Sequence, residues 1–277
     1  MPTRSKKRQA ARTHRVVMLA YPGVQILDVS GPLEVFARTS RWLRDHHDLQ
    51  RDAYEIELVA PAAGWVETSG GLGLFAARRY ADMRRADTLL IAGGIGYGEL
   101  MQDRKLLSWI REQATKVDRI GSVCTGALLL AAAGLLDGKS ATTHWAYFNR
   151  LAEVAKNVRV ERDAIYVQCD GIYTSAGVTA GMDMALAMVE LDWGKAIALV
   201  VAQELVMYLK RPGGQSQFSR HLAAQRRDDV FGNLELWILD HLDADLSVEN
   251  LARRADMSPR HFARLFAQSM GMTPCCQ

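Results

Sequence analysis

Between Arg15 and Lys210, short runs of β-branched and aliphatic residues alternate with longer runs of helical spacing, and this alternation constrains the chain more than any other feature. Val16 to Ala20, Tyr54 to Ala60, Thr88 to Ala92 and Arg119 to Val123 read as buried strands, each closing near Gly, Pro or a polar turn. Pro32 to Arg44, Asp103 to Lys116 and Thr125 to Ala133 read as the helices between them, with Pro32 at a first helical position. The expected fold is therefore α/β, a largely parallel sheet sandwiched by helices. Val66 to Phe75, broken by Gly70 and Gly71, and Ala164 to Thr174, broken by Asp170 and Gly171, read as hairpins. Ala180 to Asp192 and Trp193 to Leu209 close the domain as two helices.

At Arg211 the composition turns to Pro212, Gly213, Gly214, Gln215, Ser216 and Gln217, a stretch unable to contribute to a core. The expected division is a basic disordered tail over 1–14, an α/β domain over 15–210, a linker over 211–230 and a small all-α segment over 231–277. That last segment reads as three helices, Asn233 to Leu242, Val248 to Ala255 and Pro259 to Met270. The longest apolar runs, such as Ala127 to Leu136, fall short of the roughly 18 residues that a membrane helix needs. The N-terminus has no apolar core before Val16, so a cytoplasmic location without membrane contact is expected.

Charge must be divided along the chain before it means anything. The formal net charge is +3, yet Arg4, Lys6, Lys7, Arg8, Arg12 and Arg15 supply six positive charges with no acid among them, leaving −3 for the remainder. That tail suits weak, salt-sensitive contact with a polyanion, or no contact at all. Cys124, Cys169, Cys275 and Cys276 form no C-x-x-C pair, so neither a zinc site nor a disulfide scaffold is expected, and no metal or other cofactor. Cys169 reads as structural, and Cys275 and Cys276 as exposed thiols without a role.

Arg119 to Gly126 runs a buried strand into a small-residue helix with Cys124 at the turn. A thiol at a helix N-terminus faces unsatisfied N–H groups, which favour thiolate and lower its pKa; the alternative is a small buried residue filling a strand end. Gly93 and Gly94 lie in a second strand-to-helix loop whose N–H groups would face a ligand oxygen near Cys124. That loop lacks the spacing of a dinucleotide fingerprint. Asp28 and Glu34 belong to a third stretch after the first strand, where one of the two carboxyls suits a proton carrier and Glu34, inside a helix, suits a surface or capping role. In an open sheet these loops converge on one crevice at the carboxyl ends of the strands. His144, in Thr142-Thr143-His144-Trp145, either lines the same pocket or is a satisfied structural histidine.

At these residues the chain resembles the ThiJ/PfpI superfamily, which is similar to class I glutamine amidotransferases. The strings are Leu27-Asp28-Val29-Ser30-Gly31-Pro32, Ala92-Gly93-Gly94, Ser122-Val123-Cys124-Thr125-Gly126, Ala132-Ala133-Gly134-Leu135-Leu136 and Ala141-Thr142-Thr143-His144-Trp145. The protease-like branch has His after the cysteine where this chain has Thr125, which argues against peptidase activity. The Cys-Thr pair resembles isocyanide hydratases, a lyase activity implying Cys124 as nucleophile, Asp28 as proton carrier and Thr125 as positioning group. The same strings occur in GlxA-type transcriptional regulators, where the domain is similar to a sensor of small amino or quaternary-amine metabolites, implying Gly93, Gly94, Cys124, Thr125 and His144 as ligand-binding residues.

Leu246 to Ala252 and Met257 to Phe266 resemble the first helix-turn-helix of AraC-family DNA-binding domains. Ser247 and Ser258 are good N-caps, Pro259 suits a first helical position, and Phe262, Leu265 and Phe266 form one apolar stripe. Arg260, His261, Arg264 and Gln268 are left on the open face of a recognition helix, suited to the major groove; a solvated face in an accessory bundle is the plainer alternative. AraC-type modules resemble two such units joined by a long helix, and Gly271 to Gln277 stands where that helix begins, so the module is expected to be shortened. From Lys210 onward nine basic residues face eight acidic ones, so charge does not compensate for the shortening, and DNA binding that is weak, dependent on dimers, or lost is expected. The sequence thus implies a DNA-binding regulator, a homodimer with a small-molecule ligand, with an isocyanide hydratase as the alternative.

Overall fold

A computed structural model describes residues 12–47, 49–210, 214, 231, 234, 237, 238 and 245–270, without the side chains of 269 and 270. These residues fall into two compact units divided between Gly214 and Gln215.

In the first unit, β1 (His14–Leu19), β2 (Tyr54–Ala60), β6 (Thr88–Ile91) and β7 (Arg119–Val123) lie within one residue or two of the expected strands. With β5 (Arg78–Arg79), β10 (Tyr166–Cys169) and β11 (Ile172–Ser175) they form a seven-stranded sheet of order β10-β11-β7-β6-β1-β2-β5. All pairs are parallel except β10 with β11, the second expected hairpin. The first hairpin, β3 (Gly64–Glu67) with β4 (Gly73–Ala76), stands apart as a two-stranded sheet. A second small sheet pairs β8 (Ser140–Ala141) with β9 (Arg159–Val160).

Strand periodicity builds a core on each face. Val16, Met18 and Ala20 of β1 and its extension pack on one side, with α1 (Ile26–His47), α6 (Ala180–Trp193) and α7 (Lys195–Glu204). Val17, Leu19 and Tyr21 pack on the other, with α3 (Arg104–Ala114), α4 (Gly126–Ala132) and α5 (Phe148–Val154). A single turn, α2 (Tyr97–Leu100), leads into α3, whose N-cap Asp103 accepts the N–H groups of Lys105 and Leu106 at 2.9 and 3.1 Å. At the amino ends of the strands, Arg119 clasps Asp192 with bonds of 2.9 and 2.6 Å and donates to Thr88 Oγ1 at 2.7 Å, and Tyr54 donates to Asp192 at 2.7 Å.

Two expectations are corrected here. Helix α1 begins at Ile26 rather than Pro32, so Asp28 sits in a first helical turn and Pro32 inside the helix. The cause is tertiary packing. A Cβ on Gly31 would come within 2.9 Å of Met182, and one on Gly181 within 3.0 Å of Pro32, so α1 and α6 touch along small residues that hold this stretch helical. The boundary drawn after residue 14 also shifts, because His14 is already in β1 and Arg12 is ion-paired to buried Asp87 at 2.8 Å; residues 1–11 lie outside the described residues.

The second unit contains α8 (Val248–Arg254) and α9 (Pro259–Met270). Leu234, Ile238 and Phe231 are buried with Leu251, Ala252, Phe262 and Phe266, and Arg254 lies 3.5 Å from the Trp237 ring centre. Most of the expected linker 211–230 and of the helix 233–242 lies outside the described residues, as do Cys275 and Cys276.

Candidate functional site

Four adjacent strands, β11, β7, β6 and β1, deliver their carboxyl ends to one place, the position where open α/β sheets bind ligands. From β7 the chain turns into α4 through Cys124, whose φ of 54° lies in the left-handed region. A non-glycine residue there is strained by about 1–2 kcal/mol. Its neighbours hold it: Cys124 N–H donates to Ser175 O at 3.1 Å, and Thr143 Oγ1 donates to Cys124 O at 2.8 Å.

Asp28 is fully buried and reaches Cys124 from the first turn of α1. Its Oδ1 accepts the Val178 N–H at 2.7 Å. Oδ2 lies against Gly93 and Cys124 and receives no hydrogen bond of good geometry, although both neighbours still favour its anion. Two glycines make this closeness possible. A Cβ on Gly93 would sit 2.5 Å from Asp28 Oδ2 and 2.7 Å from Cys124 Cβ, and one on Gly177 would sit 2.5 Å from Cys124 Cβ.

Burial governs the ionisation of the pair. It pushes the Asp28 carboxyl up to about 6, against the pull of the Val178 and Gly93 amides and the thiol. It also pushes the Cys124 thiol up to about 12, with the Asp28 charge adding to the effect and the Thr125 amide opposing it. The expected acidic thiol is therefore corrected. Helix-terminal N–H groups do favour thiolate, but desolvation and an adjacent carboxylate outweigh them, so the resting pair is a neutral thiol beside Asp28.

Several N–H groups of the glycine loop turn toward the protein itself. Gly93 N–H is directed to Asp28, Gly94 N–H donates to Thr125 Oγ1 at 2.8 Å, and Ile95 N–H donates to Gly23 O at 2.9 Å. The Gly94 and Ile95 donors are engaged, while the Gly93 N–H faces Asp28 without a hydrogen bond of good geometry. Thr125 in turn donates to Gly94 O at 3.1 Å, so its hydroxyl ties the glycine loop to the start of α4. Glu34 is paired at the surface with Arg41.

His144 sits at the rim, half-buried, its pKa lowered by burial. Its Nδ1 accepts the Ala146 N–H at 3.4 Å, and its ring packs on Trp145 and Tyr147 at 5.2 and 6.1 Å. Tyr97 meets Tyr147 edge-on at 5.6 Å, and the buried Tyr21 donates to Ala92 O at 3.1 Å beside Thr125. Sequence reasoning missed Tyr21, Tyr97, Tyr147 and Gly177; an aromatic next to a glycine-bearing turn, Tyr21 before Pro22-Gly23 and Tyr97 after Gly96, was the available signal for the first two. Among the described residues no group of three or more His, Cys, Asp or Glu side chains is placed to hold a metal ion, and no helix is long and apolar enough to cross a membrane.

In the second unit, Ser247 Oγ caps α8 by accepting the Asn250 N–H at 3.4 Å, and Ser258 Oγ accepts the His261 N–H at 3.4 Å. Asp256, at a φ of 54°, turns the chain between the helices. Phe262 and Phe266 face inward, and Arg260, His261, Arg264 and Gln268 are all exposed.

Residues 14–191 match the DJ-1/PfpI family, and residues 238–274 match the bacterial regulatory helix-turn-helix proteins of the AraC family. The isonitrile hydratase of Pseudomonas putida is 37% identical over 194 residues, 69% of this chain and 77% of the hydratase. The HTH-type transcriptional regulator CdhR of Pseudomonas aeruginosa is 26% identical over 261 residues, 92% of this chain and 74% of the regulator. GlxA of Rhizobium meliloti, another HTH-type transcriptional regulator, is 29% identical over 225 residues, 80% of this chain and 68% of GlxA. Among solved structures, a ThiJ/PfpI family protein from Pseudomonas syringae has a TM-score of 0.63 at 23% identity, covering 92% of this chain and 96% of that one. That likeness shows the fold alone.

Proposed function

This chain belongs to the DJ-1/PfpI family and carries an AraC-family regulatory helix-turn-helix, and from that premise we propose that it is a DNA-binding transcriptional regulator whose first unit senses a small molecule. The observation that carries the reading is the span of its relatives: similarity to CdhR extends over 92% of the chain, whereas similarity to the hydratase stops at 69%. The outward Arg260, His261, Arg264 and Gln268 suit contact with DNA.

The ligand reading follows from charge. Among the described residues no Lys or Arg acts on Asp28 or Cys124, so a bare carboxylate or phosphate would find no counter-charge among them. Asp28 is itself anionic at neutral pH, and the rim offers the rings of Tyr97, Tyr147, His144 and Trp145. An anionic floor with aromatic walls suits a small amine or quaternary ammonium group. Tetramethylammonium and choline should bind saturably and shift the affinity of the full chain for its DNA, and Asp28→Asn should abolish the shift. Absence of saturable binding, or binding untouched by Asp28→Asn, refutes the sensor site.

The Asp28–Cys124 pair and the 37% identity to the hydratase support a second reading. In it Asp28 takes the thiol proton and passes it to the isocyanide carbon as Cys124 Sγ adds there, giving a thioimidate; water then adds to that carbon with one proton going to nitrogen, and the C–S bond breaks with the other proton returned to sulfur, leaving the N-formamide and the free thiol. Turnover of a simple isocyanide, lost in Cys124→Ser and Asp28→Asn, would establish it.

A further inference from the structure

The outward face of α9 is organised around one side chain. At about 100° per residue, Arg264 lies roughly opposite the midpoint of Phe262 and Phe266, which are 0% and 2% exposed and anchor the helix. Arg260 and Gln268, one turn to either side, are exposed as well. Arg264 is thus the residue that a docked groove would meet first.

Arg264 does not stand alone. Its Nη2 lies 3.3 Å from His261 Nδ1, one turn back on the same face. A guanidinium is always protonated and has no acceptor, so Nδ1 must be the acceptor, which requires a neutral ring carrying its proton on Nε2. The His261 backbone is held in turn by its N–H bond to Ser258 Oγ in the capped first turn. An exposed arginine ordinarily samples many rotamers and takes a phosphate as readily as a base. Here one N–H of Nη2 is tethered, and its other N–H still runs parallel to one on a neighbouring guanidinium nitrogen, a donor fork of the kind that reads guanine O6 and N7.

We propose that His261 is a positioning residue that commits Arg264 to a guanine in the major groove, and so sets the base preference of the helix without itself touching that base pair. This rests on the DNA-binding reading above.

The test is selection of preferred duplexes from a random pool by the full chain, followed by affinities for single-base variants. Arg264→Ala identifies the base pair that Arg264 reads, with a loss of preference for guanine of about tenfold. His261→Ala should lower the preference for guanine at that same base pair about threefold to tenfold, read as the ratio of affinities between single-base variants and therefore separate from any uniform loss of affinity for all sequences. His261→Asn supplies an amide oxygen in place of Nδ1 and should restore much of the preference. The inference is overturned if His261→Ala leaves that preference intact, if it changes preference at a different base pair, or if Arg264→Ala weakens all sequences equally. A wild-type chain that selects no sequence overturns the DNA-binding reading as well, whereas clear selection with a silent His261→Ala overturns this inference alone.

Discussion

Asp28→Asn removes the buried ionisable group at almost constant volume, and its consequence follows from the electrostatics of the site. The carboxyl is raised from its ordinary 3.8 to about 6, a gap worth about 3 kcal/mol at roughly 1.36 kcal/mol per pH unit. The folded state therefore binds more protons than the unfolded chain between those two values. Stability is greatest below about pH 4, falls as pH rises through the window, and is level with respect to this group above about pH 6. Asn has no such slope. It also presents an NH2 where the Val178 or Gly93 amide needs an acceptor, an offset of about 1–3 kcal/mol independent of pH. The predicted quantity is thus the change in the difference: relative to wild type, Asp28→Asn gains about 3 kcal/mol between pH 4 and pH 8. Urea unfolding at half-unit steps of pH, with a constant m value, measures it. Parallel curves for the two proteins would refute the burial of an ionisable Asp28.

Other consequences are simpler. With its thiol pushed up to about 12, Cys124 should react with iodoacetamide at pH 8 at least about 100-fold more slowly than a free thiol; mass spectrometry of its peptide measures this, and a rate above the free thiol's refutes it. Gly177→Ala would place a methyl 2.5 Å from Cys124 Cβ on a backbone with φ of 105°, and should destabilise the fold by about 2–4 kcal/mol; an unchanged Tm would show the approach is looser. Val206 occupies a left-handed position after α7, with φ of 54° and 92% exposure. Val206→Gly should stabilise by about 0.5–1 kcal/mol, read by urea midpoint, because it relieves strain and loses no packing; destabilisation would mean that Val206 is covered.

The strands were legible because β-branched runs such as Val16 to Ala20 and Thr88 to Ala92 belong to central strands buried on both faces. The start of α1 was not, because Pro32 is an ordinary first-turn signal, and nothing local announces that its ring packs against Gly181, some 150 residues away. The convergence of Asp28, Gly93, Thr125 and Cys124 was readable from strand ends alone. The ionisation of Cys124 was not, since a local dipole argument knows nothing of the carboxylate that folding brings beside it. The apolar stripe of α9 fixed its outward residues at once, because one helix against a small core has one way to face.

The most direct test of the regulator account is a ratio of affinities at one salt concentration: the full chain on its selected duplex against a scrambled duplex of equal length. The account predicts a ratio of about 10³ or more for wild type. For the Arg260→Ala, Arg264→Ala double variant it predicts a fall of at least tenfold with unfolding unchanged. A wild-type ratio near one, even at low salt, would contradict it.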